Sequence, residues 1–148
     1  MITFKELLID INACEEARLW AGDRTIEEVL RDSWRGDWLL WLAKKLDLPL
    51  NKLTLAKSRC AKTVIHLMKD QRSIDAVNVA EKFGLDECTL EELNSASSAA
   101  SYAAAADTYA AYAADDAVRK KNRQKTSDIC VEILGELLTK AVNSRLTK

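Results

Sequence analysis

Thr25-Ile26-Glu27-Glu28-Val29-Leu30-Arg31-Asp32, followed by Trp34-Arg35-Gly36-Asp37-Trp38-Leu39-Leu40-Trp41-Leu42-Ala43, is the stretch that decides the fold. Thr25 stands three residues before Glu28, the spacing at which a hydroxyl and a carboxylate satisfy each other's free backbone N–H groups at a helix start. The same pairing recurs at Thr3/Glu6, Asn12/Glu15 and Thr89/Glu92. Nothing sustains the apolar/polar alternation of a half-buried strand, and β-branched residues are scattered. The pattern predicts an all-α fold, a single-domain multi-helix bundle over residues 1–148 with a long alanine-rich helix. Helices are expected near 4–10, 13–21, 26–33, 38–46, 51–70, 74–83, 90–122 and 127–146. Gly22, Gly36 and Gly84 stand where a left-handed cap or tight turn is wanted, Pro49 stops the fourth helix, and Gly135 falls inside the last one.

Composition narrows the class. The chain has 148 residues, 48% of them hydrophobic, and a net charge of −1, which argues against disorder and against a polycationic nucleic-acid coat. A chain of this length buries enough surface to fold without staples. Cys14, Cys60, Cys88 and Cys130 form no Cys-x-x-Cys pair and have no flanking histidines, so spacing excludes zinc and redox motifs and leaves reduced structural thiols. The longest apolar run, Trp38 to Ala43, is far short of the ~20 residues a membrane helix needs. With no signal-like segment at its start, the chain is expected to be cytoplasmic.

Charge alternates in blocks. Residues 1–37 carry five basic and nine acidic groups, 38–72 eight and two, 73–118 one and nine, and 119–148 eight and three. Neighbouring helices can thus pair opposite flanks, which helps select the right packing while adding little stability per exposed contact.

Trp34, Trp38 and Trp41 surround a helix that is apolar on every side, so they read as core, with one of them as a partner anchor the alternative. Arg35-Gly36-Asp37 matches an adhesion tripeptide, but a turn at Gly36 with Asp37 as N-cap accounts for it structurally. In the 51–70 helix, Leu53, Ala56, Cys60, Val64, Leu67 and Met68 share one arc, opposite a basic stripe that includes His66. Lys57 falls within the apolar arc and is expected either to reach past the core edge or to pair with a carboxylate.

Twelve of the 22 residues from 96 to 117 are alanine. Alanine favours helix and lets another helix approach closely. The alanines gather on one side, while Glu91, Tyr102, Tyr109, Tyr112 and Asp116 share the other, a candidate protein-binding stripe or the rim of a core. Asp107 lies in the alanine arc, with Lys57 its candidate partner. A continuous helix from 90 to 122 would run about 50 Å, longer than the ~38 Å diameter of a compact chain of this size. It must bend, overhang, or dock on a second copy, which makes a homodimer through this helix one option. At its far end Arg119, Lys120, Lys121, Arg123 and Lys125 either complement the negative helix end or contact nucleic acid.

Enzyme readings find little support. Four glycines furnish no phosphate-binding or dinucleotide loop, and one histidine with no nucleophile elbow removes the commonest nucleophilic arrangements. No catalytic, cofactor-binding or metal-ligating residues are therefore assigned.

The run Ala13-Cys14-Glu15-Glu16-Ala17, then Trp20-Ala21-Gly22-Asp23, then Arg35 to Leu42, followed by a cysteine-bearing helix and an alanine/tyrosine-rich one, resembles a family of small helical immunity proteins of bacteria and their phages. The likeness spans the chain to about residue 118; the alanine-rich segment is shorter, and the charged tail longer, than in that pattern. The resemblance implies a non-catalytic interaction protein that binds and neutralises a toxin or effector protein. A phage-encoded inhibitor of a bacterial defence system has the same chemistry, and a nucleic-acid-binding module using Arg119, Lys120, Lys121 and Arg123 is the alternative from another class.

Overall fold

A 31-residue helix, Asp116–Leu146, forms the spine on which most of the other helices pack. The computed structural model describes residues 1–97 and 116–148, the side chains of 116–120 excepted. Its helices are α1 (Phe4–Asp10), α2 (Glu15–Ala21), α3 (Ile26–Asp32), α4 (Gly36–Lys45), α5 (Leu50–Lys62), α6 (Gln71–Gly84) and α7 (Asp116–Leu146). A short 3-10 turn covers Ile65–Leu67, and residues 90–97 are helical. The fold is all-α, with no strand among the described residues.

Helix starts follow local chemistry. At α1 the Glu6 N–H donates to Thr3 Oγ1 at 3.2 Å while the Thr3 N–H donates to the Glu6 carboxylate at 2.7 Å. Thr25 and Glu28 repeat this reciprocal pair at α3, at 3.2 and 3.0 Å. The Glu92 N–H donates to Thr89 Oγ1 at 3.2 Å ahead of the 90–97 helix. Asn12 does not start α2 as expected. It ends α1 in the left-handed conformation, φ 60°, and the N-cap of α2 is Cys14, with no side-chain cap.

Asp47 (φ 55°) and Asp86 (φ 61°) terminate α4 and α6 in the same conformation. In each case the next N–H reaches back to close the last turn: Ala13 to the Leu8 carbonyl, Leu48 to Ala43 and Glu87 to Lys82. Gly22 is the one glycine with positive φ, 52°, and its own N–H closes the last turn of α2 on the Arg18 carbonyl.

Gly36 and Gly84 serve a different purpose. Gly36 is the first residue of α4, and Asp37 lies in its first turn, with Arg35 as N-cap. A Cβ on Gly36 would stand 2.7 Å from the Thr126 carbonyl carbon of α7, and one on Gly84 would stand 2.5 Å from Leu55 Cβ of α5. Both glycines let one helix backbone lie on another.

Two long expected helices end elsewhere. α5 stops at Lys62, because Thr63-Val64-Ile65 are three successive β-branched residues and the Thr63 hydroxyl donates to the Cys60 carbonyl at 2.6 Å. α7 runs without a break through 123–126, where the Thr126 hydroxyl bonds back to the Arg123 carbonyl. The basic cluster is therefore followed by many turns of helix, so no free carbonyls of a helix end lie there for it to complement. Lys57 is exposed, reaching past the core edge, and His66 is exposed on the 3-10 turn. Asp107 and the alanine-rich stretch from 98 to 115 lie outside the described residues.

α7 buries Ser127, Cys130, Leu134, Leu138 and Val142 completely, a stripe at helical spacing. Against it lie Leu39, Leu42 and Ala43 of α4, Ile26 and Val29 of α3, Phe4 and Leu7 of α1, and Leu53 and Ala56 of α5. α6 packs on α5, where Glu81 meets Lys62 at 2.8 Å and Arg59 at 3.7 Å, an acidic-block residue between two from the basic block. Among the described residues no helix is long and apolar enough to cross a membrane.

Candidate functional site

The link between α3 and α4, Ser33-Trp34-Arg35, is fastened to α7. Ser127 Oγ donates to Ser33 Oγ at 2.9 Å, both groups buried, and the Gln124 amide donates to the Ser33 carbonyl at 3.3 Å. This anchorage sets Trp34 and Arg35 at the edge of the core. Contrary to the core expectation, Trp34, Trp38 and Trp41 are only partly buried, as is Trp20. The backbone approach at Gly36 leaves no room for an indole between α4 and α7, so α4 turns Leu39, Leu42 and Ala43 inward instead.

The aromatic rings pack on one another. The Trp20 and Trp38 ring centres lie 5.8 Å apart in a tilted pair, and Trp34 meets Trp38 edge-on at 5.9 Å. Guanidinium groups interleave them: Arg35 at 4.3 Å from the Trp38 ring and 5.8 Å from Trp34, Arg24 at 4.9 Å from Trp20, and Arg123 at 5.9 Å from Trp34. Such contacts add roughly 0.5–1 kcal/mol each at exposed sites and hold the rings in fixed orientations.

Arg35 is the hub. Its side chain is only 15% exposed, forks onto Asp37 at 2.6 and 3.0 Å and reaches Glu16 of α2 at 3.4 Å. The Asp37 hydrogen bond, with the charges of Asp37 and Glu16, raises the Arg35 pKa despite burial. Burial pulls the Asp37 carboxyl up, but the Arg35 hydrogen bond and charge, joined by the Asp37 and Trp38 N–H groups, hold it below its ordinary value.

These side chains border a cleft of about 440 Å³ between α1, α2 and α4. Its apolar lining includes Leu8, Ala17, Leu39 and Leu42 together with Trp20, Trp38 and Trp41. Arg35, Asp37 and Asn12 are the polar groups, and the exposed thiol of Cys14 stands among the lining residues. Clefts of this size, mainly apolar with a few fixed polar groups, are the usual form of ligand sites in proteins. Its ionisable groups are the Arg35–Asp37 ion pair, already engaged, and the Cys14 thiol. Among the described residues no three His, Cys, Asp or Glu side chains converge as metal ligands.

The residues singled out in the sequence are not gathered here. Glu91 is exposed on the 90–97 helix. Tyr102, Tyr109 and Tyr112 lie outside the described residues, as does the side chain of Asp116. Lys121 and Arg123 are exposed on α7, while the side chains of Arg119 and Lys120 are outside the description. Trp20, Arg24 and Arg35 of this candidate site carry no site role in the sequence reading, where Trp20 and Arg35 stand only within motifs. Arg24 lies beyond the end of α2 at Ala21, in the turn before α3, so its stacking on Trp20 is a turn contact that helical spacing does not signal. Comparison with models of protein families, with curated proteins and with solved structures finds no match.

Proposed function

We propose that this chain works by binding a protein partner, without chemistry of its own, and that the cleft between α2 and α4 with its tryptophan–arginine rim is the anchor. The observation that carries this reading is the preorganised Arg35, held by two carboxylates against two half-exposed indoles. Tryptophan and arginine dominate the energetic centres of protein interfaces. A side chain already ordered in the free protein loses little freedom on binding. Leu19, 75% exposed, and Ile9, 50% exposed, extend apolar surface along α1 and α2.

The resemblance to immunity proteins supplies the class of partner, a toxin or effector that is neutralised by occupation. The excess of acidic groups in residues 1–37 suits a basic partner such as a nuclease-like toxin. A phage inhibitor of a defence enzyme would use the same surface chemistry.

The test is recovery of partners from the native host by the tagged chain, after nuclease treatment, for wild type, Trp38→Ala and Ala17→Trp. Ala17→Trp fills the cleft without removing any core side chain. A stoichiometric protein bound by wild type and lost in both variants supports the reading. Retention by both variants, with loss in Tyr102→Ala/Tyr109→Ala, moves the contact to the tyrosine–acid stripe.

A second reading is favoured by Arg123, whose guanidinium lies against Trp34 while Lys121 and Lys125 are exposed on the same helix. A ring beside a basic stripe is what single-stranded nucleic acid stacks on. That reading requires binding that weakens steeply with salt, and no binding at about 50 mM salt ends it.

A further inference from the structure

The sulfur atoms of Cys60 and Cys130, 70 residues apart in sequence, lie 3.7 Å from each other across the α5–α7 contact. Cys130 is completely buried and Cys60 partly so. Both face the α4–α7 approach: Cys60 Sγ is 3.7 Å from the Thr126 carbonyl, and Cys130 Sγ is 3.7 Å from the Gly36 carbonyl. Van der Waals contact between two thiols needs an approach of under about 2 Å more to reach bonding distance.

We propose that Cys60 and Cys130 are an oxidative modification site, which a hydroperoxide converts into an intramolecular disulfide clamping α5 to α7. In the first step the Cys60 thiolate attacks one peroxide oxygen. The O–O bond breaks, Cys60 becomes a sulfenic acid, and the peroxide's other oxygen takes up the proton that Cys60 released and leaves as an alcohol, or as water from hydrogen peroxide. In the second, the Cys130 sulfur attacks the Cys60 sulfur. The S–S bond forms as the S–O bond breaks, and the hydroxyl departs as water with the Cys130 proton. Two thiols lose two electrons and the peroxide gains them.

Access sets the order of reaction, since Cys130 is completely buried and Cys60 only partly. Hydrogen bonding favours the same order. The bond to Cys130 lowers the Cys60 pKa, while that bond together with burial raises that of Cys130, so the thiolate forms on the accessible sulfur. The clamp closes a long loop, which restricts the unfolded chain more than a short one would. It also bears on the candidate site, because Cys130 touches the backbone of Gly36, the neighbour of Arg35 and Asp37.

The test uses the full chain carrying Cys14→Ser and Cys88→Ser, so that only the pair reports. The reduced protein is treated with hydrogen peroxide under native conditions, alkylated after denaturation, and examined by intact mass and peptide mapping. The expected result is simultaneous loss of both thiols, a monomer lighter by two hydrogens, linked peptides containing Cys60 and Cys130, full reversal by dithiothreitol, and a raised melting temperature. In a Cys60→Ser variant, Cys130 stays fully alkylatable. The inference is overturned if Cys60 gains oxygen while Cys130 remains free, if neither thiol reacts, or if Cys130 is oxidised as readily without Cys60.

Discussion

α4 turns two unlike faces to its surroundings. Inward it presents Gly36, Leu39, Leu42 and Ala43, all buried; outward it presents Trp38 and Trp41, both partly open to solvent. The smallest residues sit where helices meet and the largest at the edge, the reverse of what burial by hydrophobicity alone would give. Interhelical distance decides it. Once Gly36 rests on the Thr126 backbone, an indole does not fit beneath, and the tryptophans find partners in one another and in arginines. The inner face serves stability, and the outer one stays available.

The sharpest way to break this contrast is truncation on each side of it. Leu138, completely buried in the α7 stripe, is expected to cost about 3–4 kcal/mol as Leu138→Ala, through lost transfer energy and an unfilled cavity. Trp38→Ala removes a larger side chain but a half-exposed one, with an expected cost of about 1–2 kcal/mol. Urea denaturation of both decides the matter: equal costs would mean that the tryptophan face is ordinary core.

The three helical glycines sharpen it further. Gly36→Ala and Gly84→Ala place a methyl against a neighbouring backbone and are expected to cost about 2–3 kcal/mol each. At Gly135, in the buried stretch of α7, a Cβ meets only Val131 Cγ1 at 3.6 Å and Leu30 Cδ1 at 4.0 Å. There the higher helix propensity of alanine should prevail, so Gly135→Ala is expected to gain about 0.5–1 kcal/mol. A loss there would show that α7 packs more tightly than those distances allow.

The same glycines mark what could be read in advance. The Thr3/Glu6, Thr25/Glu28 and Thr89/Glu92 helix starts were legible, because each depends on groups three residues apart. The close approaches of Gly36 and Gly84 were not, since each needs a backbone from a distant part of the chain. The ends of α1, α4 and α6 fall within a residue of expectation, but the left-handed positions beyond them belong to Asn12, Asp47 and Asp86 rather than to glycine. The end of α5 had a local signal in Thr63-Val64-Ile65, which the apolar arc continuing to Met68 obscured. Of the candidate site, neither the fold-back of Arg24 onto Trp20 across the α2–α3 turn nor the tertiary meeting of Trp20 with Trp38 was legible.

Acidification reaches the outer face through Asp37. Asp37 has a folded pKa below its unfolded value of about 3.9, so its ion pair with Arg35 stabilises the fold above that pH and is lost as pH falls through the folded value. Asp37 is well exposed, so the expected change in stability is under about 1 kcal/mol. The readout is therefore tryptophan fluorescence, which should shift on acidification as Arg35 is released from the indoles. Asp37→Asn should abolish that transition. If it persists in the variant, Asp37 is not what holds Arg35 in place.

The smallest effect distinguishes the end of α4 from that of α1. Asp47 and Asn12 both occupy the left-handed position after a helix, but only Asp47 sets a negative charge beside the helix's negative end. Asp47→Gly removes that charge and the Cβ that crowds a left-handed backbone, gains offset in part by the greater freedom of glycine in the unfolded chain. The expected net gain is about 0.5 kcal/mol. Asn12→Gly should be close to neutral, because asparagine tolerates this conformation and carries no charge. Asp47→Asn separates the two contributions in thermal melts. If it recovers most of the gain, the charge is the cause; if none, backbone crowding is, and Asn12→Gly should then gain as much as Asp47→Gly.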